Sequence, residues 1–577
     1  MFIEKVRLQN FRNFKKVSIK FNEKTLVIGP NDVGKTNLIH ALRILLDKSL
    51  SAGDIEPRDT DFNVESSSNE IRILIYISNI TEDCILSAFK GSITDDGELV
   101  LGYFATRDSS GKKDYVIKAG KDLKSLKEQK GRHYLRALNL EYVQSSRNLL
   151  SYVKKEKRKI FEEFKEDRTE LEKNTDAGLI NEISLSLEEI NTKVKNLSYI
   201  KKSLSHINSE LNNLTPSNED VNLGFDSGAL NPEEYVDGVD LVSESNGEKV
   251  DVGGDGRNNQ IFLSMWSSRK DKVDMDEVTI YCVEEPEAHL HPHNQRNLAF
   301  YLSQKLNGQV IITSHSPQIA SEFSPNSMIK LLKRTKYTSV AASEGCSEII
   351  SQAFEDFSYR LNLLPAEAFF ANSVLLVEGP SEVLFYKALS KALSIDIDRL
   401  GISILSVNGV DFKSYIDVFS SFEIPVVVRT DNDIVKNNKG EYWLSGLSRG
   451  IKIVEEYFDL TKENPFEDQS LLEKRYTEKE IPKEDTDELN KLADELEGYS
   501  VYLAEVDLED DLANSPIQSA LLEYYDCEQE SLVYKMKSSK GVNMFSFLVE
   551  NIDILKELEG ELISRPLIKC KEQAEKK

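Results

Sequence analysis

The sequence predicts an α/β protein with two separate sheets and a helical insertion in the first. Three observations carry this. The stretch "TLVIGPNDVGKTN" reads as strand, glycine-bearing loop and helix. Ile183, Ile190, Leu197, Leu204 and Leu211 recur at seven-residue steps in otherwise charged sequence. A fresh α/β pattern starts near Asn372, where "LLVEGPSEVL" passes from an apolar strand to an acid, a Gly-Pro turn and a helix.

At 577 residues the chain is too long for a single core. Hydrophobic residues make up 40% and mean hydropathy is -0.40, ordinary for a soluble globular protein. No apolar window approaches the roughly 18 residues of a membrane span. The N-terminus "MFIEKVRLQNF" lacks an apolar signal core and reads as an opening strand. Cys84, Cys282, Cys346, Cys527 and Cys570 have no CxxC or CxxH spacing, which fits a reducing cytoplasm and no zinc site. The net charge of -26 argues against a protein that coats nucleic acid by charge alone. The basic runs Ser110–Arg132 and Lys154–Lys165 read as solvated faces.

The elements follow in order. Residues 1–148 read as strands and one helix, the first part of a nucleotide-binding domain, with strands at Thr25–Ile28 and Ile71–Ile77 and the helix at Asn37–Leu46. Residues 149–216 form the helical insertion. Its seven-residue seam implies one helix of about 30 residues, roughly 45 Å long, ended by Pro216. That seam suits either packing within its own domain or a dimer-forming arm. Residues 217–350 return to the first domain, 351–371 are a helical connector, and 372–577 form the second α/β domain with C-terminal helices.

"GPNDVGKT" fits G-x-x-x-x-G-K-[ST]. Gly29 and Gly34 let the backbone curl so that its N–H groups face phosphate oxygens, with Asn31 and Asn37 beside them. Lys35 brings a cation to the β/γ phosphates, and Thr36 brings a hydroxyl to Mg²⁺. In "TIYCVEEPEAHLHP", Glu284 would hold Mg²⁺ through water and Glu285 would polarise the attacking water. "GQVIITSHSPQ" is a further buried strand leading to His315, placed to sense the γ-phosphate.

The second domain repeats the pattern of strands ending in acids. Glu378 lies at a strand's carboxyl edge, where open parallel sheets bind ligands, and Glu382 lies one helical turn on. "IPVVVRTDNDIV" ends in Asp431 and Asp433, and "SVYLAEVDLEDDL" supplies Asp507, Glu509, Asp510 and Asp511. Carboxylates gathered this way would repel one another and pick up protons. Divalent metal is the simplest compensation, since Mg²⁺ and Mn²⁺ take hard oxygen ligands. The set suits two-metal phosphodiester chemistry.

Loop, acidic strand and terminal histidine in this order resemble the ABC-type ATPases of the branch related to SMC, RecF and Rad50 proteins. "GGDGRNNQ" sits where that family keeps its signature loop, so the resemblance implies that Gly254 and Gly256 close over a nucleotide held by a second subunit. The loop lacks the usual Leu-Ser start and Glu284 replaces the usual Asp, which points to slow turnover. Gln144 falls at the Q-loop position, and the segment with His289, His291 and His293 corresponds to the D-loop at the dimer seam rather than to a metal site.

Glu378, Glu382 and Asp431-x-Asp433 in series resemble the Toprim domain of topoisomerases, primases and OLD-family nucleases, with "VNGVDF" as its Gly-bearing middle strand. An ABC-type ATPase followed by Toprim is the OLD-family arrangement. "LQNFRNFKKV", "EEPEAHLHP", "TSHSP", "LLVEGPSE", "RTDNDI" and "KSSKGVNM" extend the likeness to the nuclease subunit of the Gabija anti-phage system.

The resemblance implies an ABC-type ATPase domain with a helical dimerisation insertion, followed by a Toprim domain. It implies an endonuclease for double-stranded DNA whose ATPase half gates cutting, using Mg²⁺ or Mn²⁺ and ATP. It implies a homodimer or tetramer with a helicase-like partner subunit, GajB. Glu378, Glu382, Asp431, Asp433, Asp507, Glu509 and Asp511 would be metal ligands, with Asp510 able to exchange with Glu509. Glu378, Asp431 and Asp507 would act in catalysis, and Lys540 matches the family's late catalytic lysine. The competing reading is a non-cutting clamp or scaffold. A topoisomerase ranks last, because no DNA-binding module carries a nucleophilic tyrosine.

Overall fold

The computed structural model describes residues 1–144, 157, 160–162, 164–214, 223–224, 232–237, 239, 243–245, 248–250, 277–288, 290–348, 366–407, 409, 411–458, 465–468, 470–479, 481–538 and 540–576. The chain divides into two compact units, one of residues 1–145, 274–287 and 292–577, the other of residues 146–273 and 288–291.

The larger unit opens with β1 (Phe2–Phe11), β2 (Phe14–Lys20), β3 (Lys24–Ile28), β4 (Glu70–Ser78), β5 (Leu99–Arg107), β6 (Lys113–Gly120), β7 (Lys127–Glu128) and β8 (Leu138–Val143). Six of these make an antiparallel sheet in the order β2-β1-β4-β5-β6-β7. Its strands alternate buried and exposed positions, so one face packs on the core.

The remaining two join a second sheet. In the smaller unit, β9 (Ser243–Ser245) and β10 (Glu248–Val250) pair antiparallel. The larger unit resumes with β11 (Val278–Glu284), β12 (Val310–Thr313), β13 (Met328–Lys333) and β14 (Ser339–Ala341). The second sheet runs β14-β13-β3-β12-β11-β8, parallel except at β14. β3 and β12 are almost continuously buried, as strands covered on both faces must be. Parallel direction brings the carboxyl ends of β3, β11 and β12 to one edge, with Glu284 beside Thr313.

The third sheet comprises β15 (Ser373–Val377), β16 (Ile402–Ser406), β17 (Val426–Thr430) and β20 (Val501–Leu503), all parallel in the order β16-β15-β17-β20. β18 (Ile434–Lys436) and β19 (Tyr442–Leu444) form a hairpin after β17. The chain leaves β15 toward β16 on one side and returns to β17 on the other. The carboxyl ends of β15 and β17 therefore flank the switch point, where a crevice opens in such sheets. Leu375, Val377, Phe385, Leu389, Val427 and Leu508 belong to one buried cluster under this edge.

Three expectations change. The seam of the smaller unit is carried by two helices, Glu170–Lys195 and Ser198–Leu214, with Asn196 at the break. Asn is a common helix terminator. Ile190, Leu197 and Ile207 are 51%, 42% and 41% exposed along it. The described residues of "VNGVDF" are not in a strand: β16 ends at Ser406, and Phe412 opens a helix. The last acids do not end a strand either. β20 stops at Leu503, and Asp507 caps the helix Leu508–Ala513, which carries Glu509, Asp510 and Asp511. Short polar side chains at that position satisfy the first free N–H groups of a helix.

The helix Ser445–Tyr457 is clamped onto the segment after β17. The N–H groups of Ser445 and Gly446 donate to the Asp433 carbonyl at 2.9 and 3.1 Å. A Cβ at Gly446 would lie 2.4 Å from the Asp431 carbonyl oxygen. Gly446→Ala is therefore expected to cost about 1–3 kcal/mol, seen as a lower thermal unfolding midpoint. Gly498→Ala, which adds a methyl group in open space on a helix, is the control and leaves the midpoint unchanged or slightly higher.

Candidate functional site

Two sites occupy the carboxyl edges of the two parallel sheets. At the first, the loop after β3 has Gly29 at φ +149 and Gly34 at φ +105, conformations that L side chains rarely adopt. A Cβ at Gly34 would also collide with Asn13 at 2.1 Å. Lys35 Nζ donates to the Gly29 and Pro30 carbonyls at 3.0 and 2.9 Å, closing the loop over its own cation. Asn31 and Thr36 are exposed at its rim.

The loop is braced by residues the sequence reading did not single out. Asn13 donates to the Val33 carbonyl at 2.7 Å and accepts from Asn37 Nδ2 at 2.7 Å. Arg12 donates to Asn37 Oδ1 at 3.0 Å and pairs with Asp61 at 2.9 Å. Both come from the tight β1–β2 turn, within the stretch "LQNFRNFKKV".

Glu284 ends β11 buried, accepting from the Tyr142 hydroxyl, while its Oε1 has no hydrogen-bond partner. The Arg43 guanidinium lies 3.8 Å from the centre of the Tyr142 ring. Burial, then Glu284, pushes the Tyr142 phenol above its ordinary range, so it stays a donor. Glu285 has φ +42, and its Oε1 is 3.7 Å from His315 Nε2. Glu287, another residue not foreseen, accepts from Ser314 Oγ at 2.7 Å and the His315 N–H at 2.8 Å. Burial raises its carboxyl. Burial and the nearby Lys35 lower His315. Gln144 is exposed just beyond β8. Gly254, Gly256 and His289 lie outside the described residues.

At the second site, Glu378 follows β15 and its Oε1 accepts from Thr430 Oγ1 at 2.5 Å and the Asp431 N–H at 2.9 Å. The predicted acids do gather here, but the compensation among them is internal. Arg429, next to last in β17, has a side chain only 2% exposed. Its guanidinium meets Glu382 at 2.7 Å, Asp511 at 2.7 Å and Asp431 at 3.7 Å. Glu382 also accepts the Gly379 N–H at 2.6 Å. Glu382 and Asp511, expected to face metal, thus face Arg429.

Arg449, from the helix Ser445–Tyr457, bonds Glu378 and Thr430 and pairs with Asp433 at 3.0 Å. Lys537 pairs with Asp507 at 2.6 Å and Asp510 at 2.7 Å. Burial opposes the Lys537 charge, and those two hydrogen bonds outweigh it, raising its pKa. Asp507 Oδ1 accepts the N–H groups of Glu509 and Asp510 at 3.0 and 3.1 Å. Glu509 is 1% exposed. Lys540 opens the helix Lys540–Asn551, and its side chain is outside the described residues.

Among the described residues, no three acidic, histidine or cysteine side chains already converge as a metal cage. The donor set nonetheless fits a cation. Asp431 Oδ1 is buried without a hydrogen-bond partner. Burial, then the charges of Glu382 and Glu378, pushes the Asp431 carboxyl up to about 8, with Arg429 opposing. Its nearest cation, Arg429, is 3.7 Å away and is shared with Glu382 and Asp511, so positive charge is in deficit at Asp431. Hard oxygens are what Mg²⁺ or Mn²⁺ would take.

Residues 24–321, more than half of the chain, match the "AAA domain" family described with "AbiEii toxin, Type IV TA system". The chain belongs to this AAA-domain family. Residues 369–433 match the "Overcoming lysogenization defect protein-like, TOPRIM domain", which takes in Glu378, Glu382, Asp431 and Asp433. The protein is therefore an AAA ATPase–TOPRIM protein of OLD-like kind. It is 28% identical over 574 residues to endonuclease GajA of Bacillus cereus (strain VD045), covering 96% of each chain. It is 27% identical over 161 residues to the OLD nuclease of Thermus scotoductus (strain ATCC 700910 / SA-01), 26% of this chain and 30% of that one. It is 44% identical over 46 residues to the DNA replication and repair protein RecF of Bacillus thuringiensis (strain Al Hakam), 8% of this chain and 12% of the relative.

Two predictions follow from the charges at the AAA and TOPRIM sites. Arg429→Gln leaves Glu382 and Asp511 buried without their counter-charge, a loss of about 3–5 kcal/mol. Burial already raises both carboxyls. Below their unfolded pKa both are neutral in either state, so the deficit in unfolding midpoint grows as pH rises from about 5 to 8. At the AAA site, burial lowers Lys35 to about 8, with Glu285 and Glu287 the largest opposing charges. Phosphate oxygens would raise it again, so nucleotide binding takes up a proton above that pH. ATP affinity should then fall as pH rises from about 8 to 9.5. Calorimetry in buffers of different ionisation enthalpy should register proton uptake there and little at about pH 6.5.

Proposed function

We propose that the protein is a divalent-metal-dependent DNA endonuclease, regulated by nucleotide, that cuts phage or other foreign DNA in the cytoplasm. The observation that carries this reading is Asp431, whose buried carboxylate oxygen lacks a hydrogen-bond partner at the switch point of the TOPRIM sheet. The relationship to endonuclease GajA along nearly the whole chain supports it.

In this reading Glu378, Asp431, Asp433 and Glu509 hold the metal, and Asp507 orients the helix that presents Glu509. Glu382 and Asp511 act through Arg429, keeping β17 and its two acids at the sheet edge. Bound Mg²⁺ or Mn²⁺ would supply an activated water and offset charge on the leaving 3′-oxygen. Lys540, and Lys537 three residues earlier in the chain, would meet the scissile phosphate. In the AAA domain, Lys35, Thr36 and the loop amides would bind ATP, Glu284 its Mg²⁺, and Glu285 with His315 the attacking water.

The partly exposed seam of Ile190, Leu197 and Ile207 supports a homodimer or tetramer. A helicase-like partner such as GajB would deliver the DNA. No described helix is long and apolar enough to cross a membrane.

The experiment is nicking of supercoiled plasmid with Mg²⁺. Wild type should nick, while Glu378→Ala and Asp431→Asn should lose at least about 100-fold in rate, as removal of a metal ligand commonly does. Equal nicking by wild type and variants removes the assigned chemistry, and no nicking by any of them favours the clamp reading. Nucleotide acts here as a restraint, so millimolar ATP should slow nicking in the same assay.

A further inference from the structure

The two arginines of the TOPRIM site are not equivalent. Arg429 is enclosed, and its partners Glu382 and Asp511 have side chains only 7% and 10% exposed. It has no route to solvent and is a permanent part of the sheet edge. Arg449 lies at the crevice mouth, where its partner Asp433 is 45% exposed. Its guanidinium spans Glu378 and Asp433, one acid from each strand end beside the switch point. These are the oxygen donors that the metal reading requires.

The backbone around Arg449 is fixed while its side chain has a way out. The helix Ser445–Tyr457 is fastened to the Asp433 carbonyl by two amides, and Gly446 lies against Asp431 and Asn432. The position of the Arg449 Cα relative to the acids is therefore set. Four rotatable side-chain bonds separate it from a guanidinium whose Asp433 end opens to solvent.

The geometry points to Arg449 as a displaceable cation that holds the site shut, occupying Glu378 and Asp433 until a divalent ion takes them. This rests on the metal-dependent reading above and adds to it. The free site is partly neutralised from within the chain, and loading exchanges one intramolecular cation for a divalent one. A guanidinium donates hydrogen bonds at about 2.7–2.9 Å, whereas Mg²⁺ needs oxygens at about 2.1 Å. Glu378 Oε1 already accepts from Thr430 Oγ1 and the Asp431 N–H as well as from Arg449, so a divalent ion that takes this oxygen displaces the donor with a way out, Arg449. Once displaced, Arg449 stays tethered at the crevice mouth as a free fork-shaped donor, suited to a DNA phosphate.

The test is Mn²⁺ binding to the full-length, DNA-free protein, measured by calorimetry and by the spin-resonance signal of free Mn²⁺. Glu378→Gln identifies the site. Arg449→Gln should bind Mn²⁺ at the Glu378-dependent site about tenfold or more tighter than wild type, the scale of one charge-assisted hydrogen-bonded pair. Arg449→Lys keeps the charge but cannot bridge both acids, so it should also bind tighter and separates competition for oxygens from general repulsion. Thermal melts confirm that each variant is folded, and the lysine variant serves if the glutamine variant is not. Tightening in Arg449→Lys supports the inference. Affinity equal to wild type in Arg449→Lys overturns it and leaves the metal site standing. Absence of Glu378-dependent binding in wild type and both variants overturns the inference together with the metal reading.

Discussion

A guanidinium closed off from water near the carboxyl end of a parallel strand organises the second half of this protein. Arg429 cannot shed its charge, so its burial is tolerable only with carboxylates at hydrogen-bonding distance. Glu382 arrives from the helix after β15, and Asp511 from the helix after β20. That requirement ties both helices to the carboxyl edge of the sheet. Glu378 and Asp431 meet at the adjacent ends of β15 and β17, where the Asp431 N–H donates to Glu378.

The two sites show opposite uses of one architecture. Both lie where parallel strands end, with a loop turning into a helix. At the AAA edge a lysine is curled against its own loop carbonyls and surrounded by glutamates, ready for polyphosphate and its metal. At the TOPRIM edge carboxylates are in excess and are held by two arginines and a lysine. In each case charge is partly satisfied within the chain, and the remainder is what a ligand of opposite sign can bind. The braces differ in kind. Neutral amides from Asn13 and Asn37 touch the first loop, with the Arg12–Asp61 pair behind them, whereas ion pairs act directly on the acids of the second site.

Burial explains why these ion pairs matter. Exposed pairs are worth little because water screens them. Arg429 with its acids is sealed, so removing either side strands a charge in a dry interior. Arg449 is intermediate, buried enough to bond firmly and open enough at Asp433 to let go.

What the amino-acid sequence determined by itself was everything set by neighbours along the chain. The glycine-bearing loop after β3, the acidic end of β11, the turn after β15 and the Asp-x-Asp after β17 all depend on local backbone chemistry, and their order pointed to an ABC-type ATPase followed by Toprim. The tertiary structure decided how the charges pair. Arg429 reads in sequence as one polar residue in a strand, Arg449 as a polar position on a helix, and Lys537 as one basic residue among several. Nothing in their spacing names Glu382, Glu378 or Asp507 as partners, because those acids lie 47, 71 and 30 positions away. For the same reason the last acids looked like a strand end, when the capping of the helix Leu508–Ala513 by Asp507 had already turned the chain. Local preference writes elements and loops into sequence, whereas the pairing of buried charges exists only once the sheet has folded and excluded water.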